Sequence, residues 1–190
     1  HLYRQGEAAE HVFVLVDGTV KATSTHSRGF DTLLKIHGPG SLLGLSALRP
    51  NAVRDANGIA IGDINTVSFS ASQFLRILEE DGALGLLLIR VLLKRQQQLH
   101  GRIRNILGNS VEQRLADVLL QLSAEAAINV GADAVVEISI THEDLSSLVI
   151  SRRQYITQIL GDFSSRNLIE ISRKRIRITD PKKLQQIADA

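Results

Sequence analysis

Apolar residues recur along this chain in two different rhythms, and the change between them falls near Ser70. Ahead of it, short apolar runs such as those over 12–16 and 32–36 lie between turn-like marks: Gly6, Asp17-Gly18, Arg28-Gly29, Gly38-Pro39-Gly40, Asn57-Gly58 and Gly62-Asp63. Short strands regularly separated by turn residues predict a β-sandwich or barrel from Leu2 to about Phe69.

Beyond Ser70 the spacing becomes helical. Ile89, Leu92, Gln96, Leu99, Ile103 and Ile106 alternate steps of three and four, the spacing of a coiled-coil seam. Spacing alone fits equally well a single helix packed on its own domain. The polar Gln96 within the seam favours a dimer, because one buried amide sets the register of two identical helices. Ser110 with Gln113 forms a capping box for a following helix, whose apolar stripe is Val111, Leu115, Val118, Leu119 and Leu122. A glycine-containing turn and a strand are expected over 129–140. Thr141 with Asp144 then caps a helix that turns Leu145, Leu148 and Val149 inward. Only Ile150 and Ser151 separate it from the next helix, in which Ile156, Ile159, Leu160 and Phe163 make one apolar stripe. "LIEI", the basic turn "SRKR" and "IRIT" read as a β-hairpin, and Pro181 opens a last short helix. Helix, tight turn, helix and two-stranded wing make a winged helix-turn-helix, and the chain as a whole reads as α+β.

The second helix of such a unit is the one that enters the major groove of DNA. Opposite its apolar stripe lie Gln154, Gln158 and Ser165, with Arg153 and Thr157 on one shoulder. Glutamine pairs bidentately with adenine and arginine with guanine, so Arg153, Gln154, Thr157 and Gln158 are the expected base-contacting residues. Arg152, Thr141, His142 and the wing cations Arg173, Lys174 and Arg175 are expected on phosphate. Ser151 with Gln154 is also a capping-box pair, which would tie that glutamine to the helix terminus instead.

Charge supports this division. The net charge is only +2, yet residues 152–183 hold nine Lys or Arg against three acids, leaving the rest net acidic. That asymmetry points to a polyanion-binding end. With 44% apolar residues among 190 the chain can fill ordinary cores. The absence of Cys excludes disulfides, thiolate zinc sites and cysteine-held iron–sulfur clusters. No metal site or cofactor is expected. No apolar run reaches a membrane-spanning length and no signal-peptide pattern opens the chain, so a cytoplasmic protein without membrane partners is expected.

The stretch "LVISRRQYITQILGDFSSRNLIEISRKRIRITD" resembles the DNA-binding end of the Crp/Fnr transcription regulators. In front, "LYRQGEAAEHVFVLVDGTVKATS" and "GPGSLLGLSAL" resemble their cyclic-nucleotide-type β-roll, a double-stranded β-helix that here lacks its start. The similarity spans essentially the whole chain. "LGDF" after the recognition helix is nearest the nitrogen-control (NtcA-like) branch. The resemblance implies an effector-sensing β-roll over 1–80, a dimerisation helix over 81–108 and a DNA-binding domain over 109–190. It also implies a homodimer on double-stranded DNA, with RNA polymerase as a further partner and no enzymatic activity.

Departures from the family pattern qualify the effector. Cyclic-AMP binders carry a Gly-Glu pair in the effector loop and an Arg-Ser or Arg-Thr pair after it, because ribose needs a carboxylate and phosphate a cation. Here Leu45 follows Gly44, and Arg54 lies in "VRDAN". An effector other than cyclic AMP is therefore expected: a small anion on Gly44, Leu45, Ser46 and Arg54, with Gln96 reaching from the dimer helix. A vestigial pocket, with DNA binding independent of any effector, is the alternative. Ile150 replaces the turn glycine, so a reshaped turn is expected. A cupin-type metalloenzyme would need an H-x-H pair followed by a carboxylate, which the sequence lacks.

Overall fold

Strand β1 (His11–Thr25) buries Val12, Leu15 and Val20 completely, although Leu15 and Val20 would face opposite sides of a regular strand. Register shifts between Leu15 and Asp17 and between Asp17 and Thr19 turn the strand so that both look inward. The chain was described by a computed structural model over residues 1–27, 31–127, 137–172 and 175–190. The expected turn at Arg28-Gly29, most of the turn over 129–140, and Arg173 and Lys174 lie outside the described residues.

One edge of β1 pairs antiparallel along its length with β4 (Asn57–Ser70). The other edge carries β3 (Leu42–Leu43) at one end and β2 (Asp31–His37) at the other. Three expected turns are corrected by this arrangement. Asp17-Gly18 lies inside β1, and Asn57-Gly58 and Gly62-Asp63 lie inside β4. At Gly18, with φ +86, an added Cβ would stand 2.5 Å from the Asp63 carbonyl oxygen, so this glycine makes a bulge where two strands meet closely. Leu15, Val20 and Leu43 form one core, joined by Tyr3, Phe13 and Ile64. A second core of Ala9, Val12, Ala47 and Phe74 is closed by helix α1 (Ala71–Glu80), which Ser70 and Gln73 cap reciprocally.

Helix α2 (Gly82–Gly108) follows and has no buried residue. Residues 1–101 and 102–190 form two compact units. In the second, α3 (Val111–Ala127) starts from the expected box: Ser110 accepts from the Gln113 amide and the Gln113 side chain accepts from that of Ser110. A three-stranded antiparallel sheet has β7 (Arg175–Ile178) between β5 (Glu137–Ser139) and β6 (Ile169–Ser172). Helices α4 (His142–Val149), α5 (Arg153–Ser165) and α6 (Pro181–Asp189) complete the unit. Leu115, Leu119, Leu145, Ile156, Leu160, Phe163, Ile176 and Leu184 are its fully buried centre.

The turn between α4 and α5 holds Ile150 in the left-handed conformation, with φ 53 and ψ 65, the region a glycine enters most readily, so the substitution does not drive this residue out of it. The Ser151 amide donates to the Ser146 carbonyl at 2.9 Å, closing the helix end. Arg114 of α3 donates to the carbonyl of Val149 at 3.0 Å and reaches that of Ile150. These contacts over-determine the turn and hold a β-branched residue where it costs about 1–3 kcal/mol. Because the Ile150 side chain is 59% exposed, little burial is lost with it. Ile150→Gly is therefore expected to stabilise the protein by about 1 kcal/mol, raising the midpoint of thermal unfolding. An unchanged or lower midpoint would show that the turn is unstrained.

Candidate nucleic-acid interface and effector loop

Helix α5 buries Ile156, Ile159, Leu160 and Phe163 and leaves Arg153, Gln154, Thr157 and Gln158 exposed. Its N-cap is Arg152 and no side chain caps it, so the Ser151–Gln154 box does not form. The missing box follows from the αL turn, which delays the helix to Arg153 and leaves Ser151 outside it. Gln154 and Gln158 carry no side-chain hydrogen bond among the described residues. With Ser151, Arg152, Ile150 and Tyr155 they line one shallow hollow on the outer surface of this unit.

Tyr155, 48% exposed, belongs to this surface and was missed by the reading of the sequence. At about 100° per residue it occupies the shoulder opposite Thr157, a position the helical wheel could have supplied. Thr157 itself is held: its hydroxyl donates to the Arg153 carbonyl at 3.0 Å and lies 2.9 Å from Nδ1 of His142. Thr141 caps α4 through the amide and carboxylate of Asp144. Among the wing cations expected on phosphate, Arg175 is paired with the Glu137 carboxylate at 2.7 Å. Arg177, two pairs further along the hairpin, is bound to Glu170.

In the β-domain the structure brings Gly44 and Arg54 together. Gly44, with φ +71, opens a short 3₁₀ turn over Leu45–Leu48. The Arg54 guanidinium donates to its carbonyl at 3.0 Å and to the His11 carbonyl at 2.8 Å. That guanidinium lies 4.6 Å from the Tyr3 ring and 5.7 Å from the Phe13 ring. A Cβ at Gly44 would stand 2.5 Å from an Arg54 nitrogen, so only glycine admits the contact. Leu45, where a cyclic-AMP binder has its glutamate, packs into the Ala47 and Phe74 core. Ser46 is half-buried in the turn, and Gln96 is exposed on α2.

A second cation was not foreseen. Arg95 of α2 donates to the Leu42 carbonyl at 2.6 Å, one turn of chain before Gly44. Burial holds Arg54 and Arg95 below the usual guanidinium range, and Tyr3 partly restores each. Burial raises the Tyr3 phenol, opposed chiefly by Arg54. Burial, with Lys35 and Arg95, lowers His37 to about 3, so this imidazole is neutral. Arg95 reaches the carbonyl of Leu42 across 53 positions of the chain, a long-range fact without a local signature in sequence.

Two domain families match the chain: the cyclic nucleotide-binding domain over residues 1–81 and the Crp-like helix-turn-helix domain over 113–187. A CRP-like cAMP-activated global transcriptional regulator of Mycobacterium tuberculosis is 24% identical over 98% of this chain and 84% of its own length. A global nitrogen regulator of Nostoc is 23% identical over 95% of this chain and 82% of its own. FixK2 from Bradyrhizobium japonicum has the same fold, with a TM-score of 0.83 at 16% identity over 100% of this chain and 92% of that one. No described helix is long and apolar enough to cross a membrane. With both domains matched in this order, the chain belongs to the Crp/Fnr family of transcription regulators.

Proposed function

We propose that this protein is a homodimeric, sequence-specific DNA-binding regulator whose β-roll answers to a small anionic effector other than cyclic AMP. The observation that carries the reading is the division of α5. Its apolar stripe is wholly committed to the core, while Gln154 and Gln158 stand exposed beside Arg152 and Arg153. In this reading Arg153, Gln154, Thr157 and Gln158 meet base edges, with Tyr155 beside them. Arg152, Thr141, His142 and the wing cations Arg173, Lys174 and Arg175 meet phosphate. The domains divide at 1–80, 81–108 and 109–190, and Ile89, Leu92, Gln96, Leu99, Ile103 and Ile106 form the seam between two copies. Gly44, Leu45, Ser46, Arg54 and Gln96 surround the effector, with Arg95 as an added cation. The protein works in the cytoplasm, with RNA polymerase as its further partner, and catalyses no reaction.

The test is binding to duplexes that carry one substitution at each operator position in turn. Gln158→Ala is expected to flatten preference at one base pair, worth about 1–3 kcal/mol. Arg152→Ala is expected to weaken all sequences alike and to lower the salt slope by about one. The reverse pattern, or affinity independent of salt, would refute the assignment.

One observation favours the reading without an effector. Arg54, the cation best placed for an anion, already spends its guanidinium on the carbonyls of Gly44 and His11.

A further inference from the structure

A histidine at the start of a helix-turn-helix is an unusual phosphate ligand, because it carries charge only when protonated. The Thr157 hydroxyl has one proton and two acceptors within reach, the Arg153 carbonyl at 3.0 Å and Nδ1 of His142 at 2.9 Å. With that proton given to the carbonyl, Nδ1–H of the ring donates to the hydroxyl oxygen, and Nε2 of the neutral ring, on the far side from Thr157, is the bare acceptor. A lone pair turned to a phosphate repels it. A proton on Nε2 makes the same atom a charged donor.

The surroundings favour the second state when DNA is present. His142 is the first residue of α4, and its ring lies on the Thr157 shoulder of α5, one turn from Arg153. A helix about 10–12 Å wide fills a groove of about 12 Å, so its shoulders lie against the phosphates. The hollow that His142 lines also holds Thr141, Glu143, Arg153 and Arg175. Among the described residues, the charged groups around it are Glu143 and Asp144 on its own helix, Arg153 on α5, and Arg175 on β7. Asp144 is turned onto Thr141, and Arg175 is engaged by Glu137.

We propose that His142 makes operator binding proton-linked. Each protomer takes one proton from solvent onto Nε2 as the ring meets a phosphate, and affinity therefore rises as pH falls. The idea rests on the helix-turn-helix reading above, with the Thr157 hydroxyl acting as the part that fixes the tautomer.

The experiment measures affinity of the full chain for an operator duplex at fixed ionic strength between pH 6 and 8.5. It compares the wild type with His142→Arg, His142→Gln and Thr157→Val. The wild-type dimer is expected to lose about tenfold or more in affinity across this range, one order per protomer for each unit by which DNA favours the charged ring. His142→Arg should bind tightly with a flat profile, and His142→Gln should bind weakly with a flat profile. Thr157→Val frees the tautomer and should reduce the slope. A second readout separates charge from shape: the wild-type salt slope should be steeper at pH 6 than at pH 8, by about one per phosphate gained, and that of His142→Arg should not change. Equal pH profiles in wild type and His142→Arg would overturn the proposal while leaving DNA binding intact. No binding by the wild type at any pH would instead overturn the regulator reading itself.

Discussion

Replacing Leu99 and Ile103 together by aspartate is expected to give a folded monomer whose operator affinity is at least about a thousandfold below that of the wild type. The expectation starts from α2, 27 residues long without one buried side chain. Ile89, Leu92, Leu99, Ile103 and Ile106 are each 40–57% exposed, spaced so as to fall on one seam. Water-exposed apolar surface arranged in that way marks an interface. Burying each half-exposed side chain against a second copy is worth roughly 1 kcal/mol, about 10 kcal/mol for both copies before the cost of association. Four aspartates per dimer would bring like charges into that seam and remove four of its apolar contacts. Neither residue belongs to the buried centre of a folded unit, so each protomer should keep its secondary structure. The loss in affinity follows from linkage. Two recognition helices on one dimer hold each other near their half-sites at an effective concentration that a monomer lacks. Sedimentation velocity and anisotropy titration check both parts. A variant that stays dimeric, or a monomer that binds as tightly as the wild type, would mean that α2 is not the seam.

The stripe of Ile156, Ile159, Leu160 and Phe163 was legible because its rhythm repeats, and it is buried as its spacing predicts. The capping boxes at Ser110 and Thr141 were equally visible, since each needs only residues three apart. What escaped was whatever depends on distant neighbours. A glycine in a bulge and a glycine in a turn look alike in sequence, so Gly18 and Gly62 read as breaks where the strands run on. Ile150 read as a residue that would reshape its turn. It is held left-handed with help from Arg114, 36 positions earlier, which donates to the Val149 carbonyl behind it and reaches that of Ile150 itself. Gln154 read as possible capping material, yet a one-residue delay in the helix start released it. Arg54 and Gly44 were singled out together as holders of an anion; that one instead grips the carbonyl of the other is a property of the folded sheet.

That grip sets the other large expected effect. Arg54→Met should cost about 3 kcal/mol of folding stability and lower the thermal midpoint by roughly 6–12 °C. Arg54 is 4% exposed and donates to the carbonyls of Gly44 and His11, of which that of Gly44 also accepts from the Ala47 amide. Hydrogen bonds to a charged group are worth about 1.5–3 kcal/mol each, and the stacking on Tyr3 and Phe13 adds to them. Methionine retains most of the apolar stem, so the loss isolates the guanidinium. Its Nε is, among the described residues, the buried side-chain polar atom left without a partner. Such an atom costs stability unless something else accepts from it, and a small carboxylate in the β-roll would do so. The two readings of the β-roll then separate in a single measurement. If Arg54 only braces the loop, the variant is less stable, yet at a temperature where it is folded it binds operator as the wild type does, and anions that stabilise the wild type stabilise it equally. If Arg54 also holds the effector, the variant loses the ligand-induced rise in midpoint that follows the logarithm of effector concentration. A variant as stable as the wild type would mean that the carbonyls of Gly44 and His11 find other donors, and that the guanidinium is not what holds this loop.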